Sequence, residues 1–224
     1  MSRHLQHELE QLNRDLLYIA SLVKENVRKS MIAFYERRTE LAHEVIAGDE
    51  KIDQKEVQVE EECLKLLALH QPVAQDLRFI AVVMKINNDL ERMGDSAVGI
   101  ARRSIHIVKE VPCKIPQDLK VMTEKAVKMV DASLDAFIRK DAILAAKVCE
   151  EDDEVDVLQK SILKQLQQEM ETHPAVIPSA LDVFTITRRI ERIADYATNI
   201  CEDVIYMVEG NIVRHSNLKD PQKK

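Results

Sequence analysis

The chain reads as an all-α protein of two tandem three-helix bundles related by a pseudo-twofold axis. Three observations predict this. First, the residue choice favours helix: there is no Trp, 4% of residues are aromatic and only 4 are Gly, while Leu, Ala, Glu, Lys, Gln, Arg and Met dominate. Strands want β-branched and aromatic residues, and their turns want Gly. Second, apolar residues recur at three- and four-residue steps over long stretches. Third, the second half repeats apolar and charged positions of the first, the mark of a duplicated unit.

The first helical pattern starts near Leu5 and runs to about Ala47, with Leu12, Leu16, Ile19, Val23, Val27 and Met31 as its stripe. Thr39 suits a capped restart, so a break near Arg38-Thr39 stays open, and Gly48 ends the run. A second helix is expected from Asp49 to about Leu69, striped by Ile52, Val59, Cys63 and Leu66. His70-Gln71-Pro72 is a turn, and Pro72 suits the first position of a third helix reaching about Lys109. Val111-Pro112-Cys113-Lys114-Ile115-Pro116 is a linker, because two prolines interrupt any helix there. A fourth helix is expected from Gln117 to Glu150, with a possible break near Lys140-Asp141, and a fifth from Asp152 to about Glu171. Thr172-His173-Pro174 is the matching turn, and a sixth helix runs from Ala175 to Gly210. The units are thus 1–110 and 117–215, joined by 111–116, with a polar frayed tail at 216–224.

Charged residues make up 32% of the chain, the share expected of solvated faces on amphipathic helices. The net charge of −7 disfavours contact with nucleic-acid phosphates. No uncharged apolar run approaches the ~20 residues that span a bilayer, and Met1 to Glu8 lacks the apolar core of a signal peptide. The cysteines, Cys63, Cys113, Cys149 and Cys201, show no CxxC spacing and read as reduced thiols in a cytosolic protein.

The residues that carry chemistry are acidic pairs at i and i+4: Asp49 and Asp53, Glu91 and Asp95, Asp152 and Asp156, Glu191 and Asp195. A helix turns about 100° per residue, so each pair shares one face, where like charges repel by a few tenths of a kcal/mol. A multivalent cation between them reverses that sign. If the second and third helices are neighbours, four carboxylates converge, and the second half supplies a matching quartet. All-carboxylate clusters suit Mg, Mn, Ca or iron, and argue against a structural zinc site built on Cys or His. The competing reading is a solvated face, with Asp49 and Asp152 as N-caps. Repetition weighs against it. Glu56 and Glu60 have drifted to Gln159 and Leu163 in the second copy, whereas the four pairs and Arg92 and Arg192 are retained.

The segments Gln71-Pro72-Val73-Ala74-Gln75-Asp76-Leu77-Arg78, Asn88-Asp89-Leu90-Glu91-Arg92-Met93-Gly94-Asp95-Ser96-Ala97 and Arg189-Ile190-Glu191-Arg192-Ile193-Ala194-Asp195-Tyr196-Ala197-Thr198-Asn199-Ile200 resemble the PhoU family. The resemblance covers nearly the whole chain. It implies metal clusters on Asp49, Asp53, Glu91 and Asp95 and on Asp152, Asp156, Glu191 and Asp195, with iron, manganese, magnesium and zinc all open. It further implies a cytoplasmic, often dimeric regulator of phosphate uptake. Such a regulator acts with the ATPase subunit of a phosphate ABC transporter and a membrane sensor histidine kinase, and holds the phosphate-starvation response off. One departure is plain: the second half has Thr172-His173-Pro174-Ala175-Val176-Ile177-Pro178 where the first has the Gln-Pro-Val-Ala-Gln-Asp-Leu-Arg signature.

Two other functions compete. A di-iron oxidase in a helical bundle needs paired Glu-x-x-His motifs facing inward, and Glu40-Leu41-Ala42-His43 has no partner, since its counterpart is Ile143-Leu144-Ala145-Ala146. A metal-free helical adaptor would leave the carboxylates as solvated faces. A homodimer would follow if the first helix exposed part of its stripe.

Overall fold

A computed structural model describes residues 3–211, and the tail expected at 216–224 lies outside them. Six α-helices account for nearly all of it: α1 Arg3–Tyr35, α2 Thr39–His70, α3 Ala74–Ile107, α4 Gln117–Arg139, α5 Ala142–Thr172 and α6 Ile177–Glu209, with one 3-10 turn at Pro174–Val176. No strand occurs among the described residues, and no helix there is long and apolar enough to cross a membrane.

Helices α1, α2 and α3 pack on one another, as do α4, α5 and α6. The predicted stripes are what they bury. Leu12, Leu16, Ile19, Val23 and Val27 of α1 meet Ile52, Val59, Cys63 and Leu66 of α2 and Ile80, Val83, Ile86 and Leu90 of α3 in the core. Each such aliphatic side chain contributes roughly 1.5–3 kcal/mol by leaving water. The stripe of α1, suggested as a dimer surface, is therefore spent inside the bundle, with Leu12, Leu16, Ile19, Val23 and Val27 all buried.

The two bundles join mainly through α3 and α6. Lys85 near the start of α3 pairs with Asp203 near the end of α6, and His106 near the end of α3 pairs with Asp182 near the start of α6, so the two helices run antiparallel. Gly99 of α3 suits a close approach, because a Cβ there would run into the Arg189 side chain of α6. A second, lighter contact links α1 to α4 through Asp131, which forms an ion pair with Lys24 and accepts from Arg28, and through the Tyr35 hydroxyl at 3.0 Å from Thr123 Oγ1.

The helix boundaries differ from the sequence expectation in a consistent way. Gly48 does not end α1 but lies within α2, and α5 begins at Ala142 rather than Asp152. The true stops are residues 36–38 and 140–141, the two breaks that the sequence left open near Arg38-Thr39 and Lys140-Asp141. There Arg37 and Lys140 adopt left-handed φ values of 54° and 53°. Arg38 N–H donates to the Ala33 carbonyl at 3.0 Å, and Asp141 N–H to the Ala136 carbonyl at 2.9 Å, the same turn in both copies. Gly48 faces Asn26 of α1, where a Cβ would stand in ordinary contact at 3.4 Å from Oδ1, so the helix runs through it without strain. Pro72 also stands before its helix rather than in it, since α3 opens at Ala74.

Capping distinguishes the two turns. Asp141 Oδ1 accepts from the backbone N–H of Ile143 and Leu144, whereas Arg38 caps α2 with no side-chain bond. Asp141→Ala is expected to cost about 1 kcal/mol in chemical denaturation, and Thr39→Ala close to nothing. Equal losses at the two positions would show that the α5 cap does not stabilise as its geometry indicates.

Candidate metal centres

Because α2 and α5 start upstream of their expected positions, Asp49 and Asp152 are interior helical residues. Neither can be an N-cap, so the simplest structural role for these two acids is removed. Asp49 and Asp53 project from mid-α2 and Glu91 and Asp95 from mid-α3. Gly94 of α3 faces α2: a Cβ at that position would stand in ordinary contact, 3.4 Å from Asp49 Oδ1 and 3.5 Å from Ile52 Cδ1. The Asp49 carboxylate therefore rests against the α3 backbone.

The charges of each quartet act on one another. Burial, then the charges of Asp53 and Asp95, push the Asp49 carboxyl up to about 6, against a smaller pull from Arg102. Burial and then Asp95 raise Asp53, and burial, Asp95 and Asp53 raise Glu91, with Arg92 opposing. In the second half burial, then Asp156 and Glu191, push Asp152 up to about 6. Burial, then Glu191, Asp152 and Asp156, push Asp195 up to about 7, with Arg192 pulling back. The second patch is the more enclosed, for Asp95 and Asp53 are exposed whereas Asp195 and Asp156 are half-buried. Arg92 and Arg192 are both exposed, and each offsets part of the negative field of its own patch.

Each quartet is thus one electrostatic patch across two helices. Neither is a closed cage: among the described residues the one trio of His, Cys, Asp or Glu with donor atoms all within 4.8 Å of one another is His4, Glu8 and His70. That trio was not anticipated. His70 Nε2 lies 2.6 Å from Glu8 Oε2, and His4 Nε2 lies 3.5 Å from Glu8 Oε1, tying the end of α2 to the start of α1. The i, i+4 spacing of His4 and Glu8 was visible in the sequence, but the arrival of His70 depends on how α2 folds back. Glu56 was also undervalued. It adds to the charge on Glu91, and Asn87 Nδ2 donates to its backbone carbonyl at 2.9 Å, so the first patch carries a fifth acid.

The donor set fits a hard cation. It is all oxygen, its members raise each other's pKa, and Asp152 Oδ1 is buried without a hydrogen-bond partner among the described residues. Glu40 and His43, by contrast, are both exposed, so the single Glu-x-x-His does not face a bundle core. The thiols contribute no donors to either patch. Cys63 and Cys201 are buried, and burial pushes the Cys63 thiol up to about 12.

Fold and site together define a duplicated helical scaffold bearing one acidic patch per copy. Comparison with known proteins gives that class a family. The PhoU domain matches residues 16–104 and again residues 119–204. The phosphate-specific transport system accessory protein PhoU homolog of Aquifex aeolicus is 41% identical over 213 residues, covering 95% of this chain and 96% of that one. The homolog from Pseudomonas putida is 39% identical over 222 residues, covering 98% of this chain and 86% of that one. The crystal structure of PhoU from Pseudomonas aeruginosa superposes with a TM-score of 0.89 at 38% identity, covering 92% of this chain and 99% of that one. That of the phosphate transport system regulatory protein PhoU from Streptococcus pneumoniae gives 0.87 at 32% identity, with coverage of 93% and 99%. The chain belongs to the PhoU family.

The raised carboxyls set a pH dependence. Asp195 at about 7 and Asp49 and Asp152 at about 6 lie above the 3.8 of an unperturbed Asp. Between those values the folded chain binds more protons than the unfolded one, so these groups destabilise at neutral pH, begin to shed that cost as pH falls through 7 and 6, and are free of it only below the 3.8 of an unperturbed Asp. In chelator-treated protein, Asp195→Asn is expected to raise the denaturation midpoint at about pH 7.5, with an advantage that shrinks steadily as pH falls below 7. A difference that does not change with pH would show that Asp195 is not held against its charged form.

Proposed function

We propose that this protein is a metal-loaded regulatory adaptor of phosphate uptake. Asp49, Asp53, Glu91 and Asp95 hold one group of divalent or trivalent ions, and Asp152, Asp156, Glu191 and Asp195 hold the other. The observation that carries this reading is the mutual electrostatic coupling of each quartet, an arrangement that costs stability when charged and gains it when a cation bridges the oxygens. Each ion would take carboxylate oxygens from both helices of its patch and pin α2 to α3, or α5 to α6. Iron, manganese, magnesium and zinc are the candidates, and the oxygen-only donor set favours the first three.

The protein works by docking, not by catalysis. Its relatives are named as accessory proteins of the phosphate-specific transport system, which supports a partner in the transporter. In this reading the ATPase subunit of a phosphate ABC transporter and a membrane sensor histidine kinase share the adaptor in the cytoplasm. Plentiful phosphate then keeps the starvation response off, and no nucleic acid and no membrane insertion are involved. A homodimer belongs to the same reading. With the α1 stripe buried, exposed apolar side chains such as Val73 and Ile143 are better placed to serve it.

Asp95→Asn with Asp195→Asn is expected to remove most of the metal found by elemental analysis while leaving the far-ultraviolet helix signal intact. Recovery of the transporter ATPase and the kinase with the tagged chain should fall both in that variant and after chelation. Full metal content in the double variant would refute the site, and undiminished recovery of both partners would refute the role given to the metal.

A further inference from the structure

A pocket of about 490 Å³ opens between α3 and α6 beside the first acidic patch, lined by Asp95, Gly99, Arg102, Arg103, His106 and Arg189 among others. Three guanidinium groups share one concavity in a chain whose net charge is −7. Arg103 and His106 are held in place by the buried carboxylate of Asp182. Arg189 is placed by Gly99: a Cβ there would come within 2.1 Å of the Arg189 guanidinium carbon, so the glycine backbone is the floor on which that group lies. Its Nε is shielded from solvent and has no hydrogen-bond partner, and its Nη1 reaches only the Asp95 carbonyl at 3.5 Å. Burial and the positive charges of Arg192, Arg103 and Arg102 bear on it, with the Asp95 carboxylate opposing them. A half-buried guanidinium left this way is costly unless an acceptor completes it.

Duplication supplies an internal comparison. The repeat that matches Glu91 with Glu191 and Ile100 with Ile200 matches Arg189 with Asp89, Gly99 with Asn199 and Arg103 with Asp203. On that opposite flank Asn199 Nδ2 lies 3.5 Å from Asp89 Oδ1, and Lys85 pairs with Asp203 at 2.8 Å. The same position in the fold is acidic there and answers its own charges. Packing α3 on α6 therefore does not require the arginines.

We propose that this pocket binds a small tetrahedral oxyanion, inorganic phosphate being the probe. Arg102 and Arg189 supply planar forks that match its oxygens, and Arg103 extends the same positive surface. Asp95 on the lining sets the selectivity. A phosphate that keeps a proton can donate its O–H to that carboxylate, whereas sulfate has no proton to donate and meets only repulsion. The arginine contacts do not depend on the metal-adaptor reading, whereas the selectivity assigned to Asp95 applies to the metal-free patch, because that reading makes Asp95 a metal ligand.

Equilibrium dialysis of the full chain against radiolabelled phosphate, at constant ionic strength with chelator present, tests this. Saturable binding is expected, with sulfate competing clearly more weakly. Arg189→Gln and the exposed Arg102→Gln should each weaken binding about tenfold, the effect of losing a charge-assisted hydrogen bond. Lys85→Gln on the opposite flank should leave it unchanged, and circular dichroism verifies that each variant is folded. Non-saturable uptake, or equal affinity for sulfate, would mean an adventitious ion only and overturn the proposal. Phosphate retained in both arginine variants, or bound only when a divalent metal is added and then regardless of the arginines, would overturn it as well.

Discussion

The structure is organised around like charges that rigid helices force together. A carboxylate on a flexible loop would turn away from its neighbour. Here i, i+4 spacing fixes two acids on one helix face, and the packing of α2 on α3, or α5 on α6, brings in two more. The scaffold can impose this because its aliphatic core is continuous: Ile52 lies between Asp49 and Asp53 in sequence and is fully buried, as Val155 is between Asp152 and Asp156. Each acidic pair is thereby anchored by the apolar residue on the turn it spans. The repulsion is carried by core burial, of which one or two side chains at ~1.5–3 kcal/mol suffice.

That arrangement explains which parts of the molecule could be read from the residues. The apolar stripes and the acidic pairs obey one helical period, so fold class and patch membership were both legible before any coordinates. Duplication separated retained acids from drifting ones, as with Glu56 and Gln159. Local chain reversals were less legible. Gly48 looks like a stop, yet the helix runs through it, while the real stops use Arg37 and Lys140 in left-handed geometry at the two places the sequence left open without deciding them. Contacts between distant segments were least legible of all. The meeting of His70 with Glu8, or of Arg189 with Gly99, depends on the registry between helices, and no single-helix pattern encodes it.

The two copies have not diverged evenly. Positions on the patches keep their acidic identity, down to the exposed arginines that offset them, Arg92 and Arg192. Burial differs instead: Asp95 is exposed with Arg102 nearby, and Asp195 is half-buried and answered by Arg192. Donor chemistry is thus retained between patches that differ in burial, and a cation at the more enclosed second patch meets a less screened attraction.

The flanks of the α3 and α6 seam diverge in the opposite sense, with matched sequence positions and inverted charge. A duplicated scaffold offers every surface twice, and a pseudo-twofold axis would make the two flanks equivalent if only packing constrained them. Arg189 and Asp89 break that equivalence at the same level of the seam. The inversion gives the molecule a polarity that its fold lacks. On one flank Asp95 lines a pocket with Arg102, Arg103 and Arg189, and on the other the cation Lys85 is taken up by Asp203.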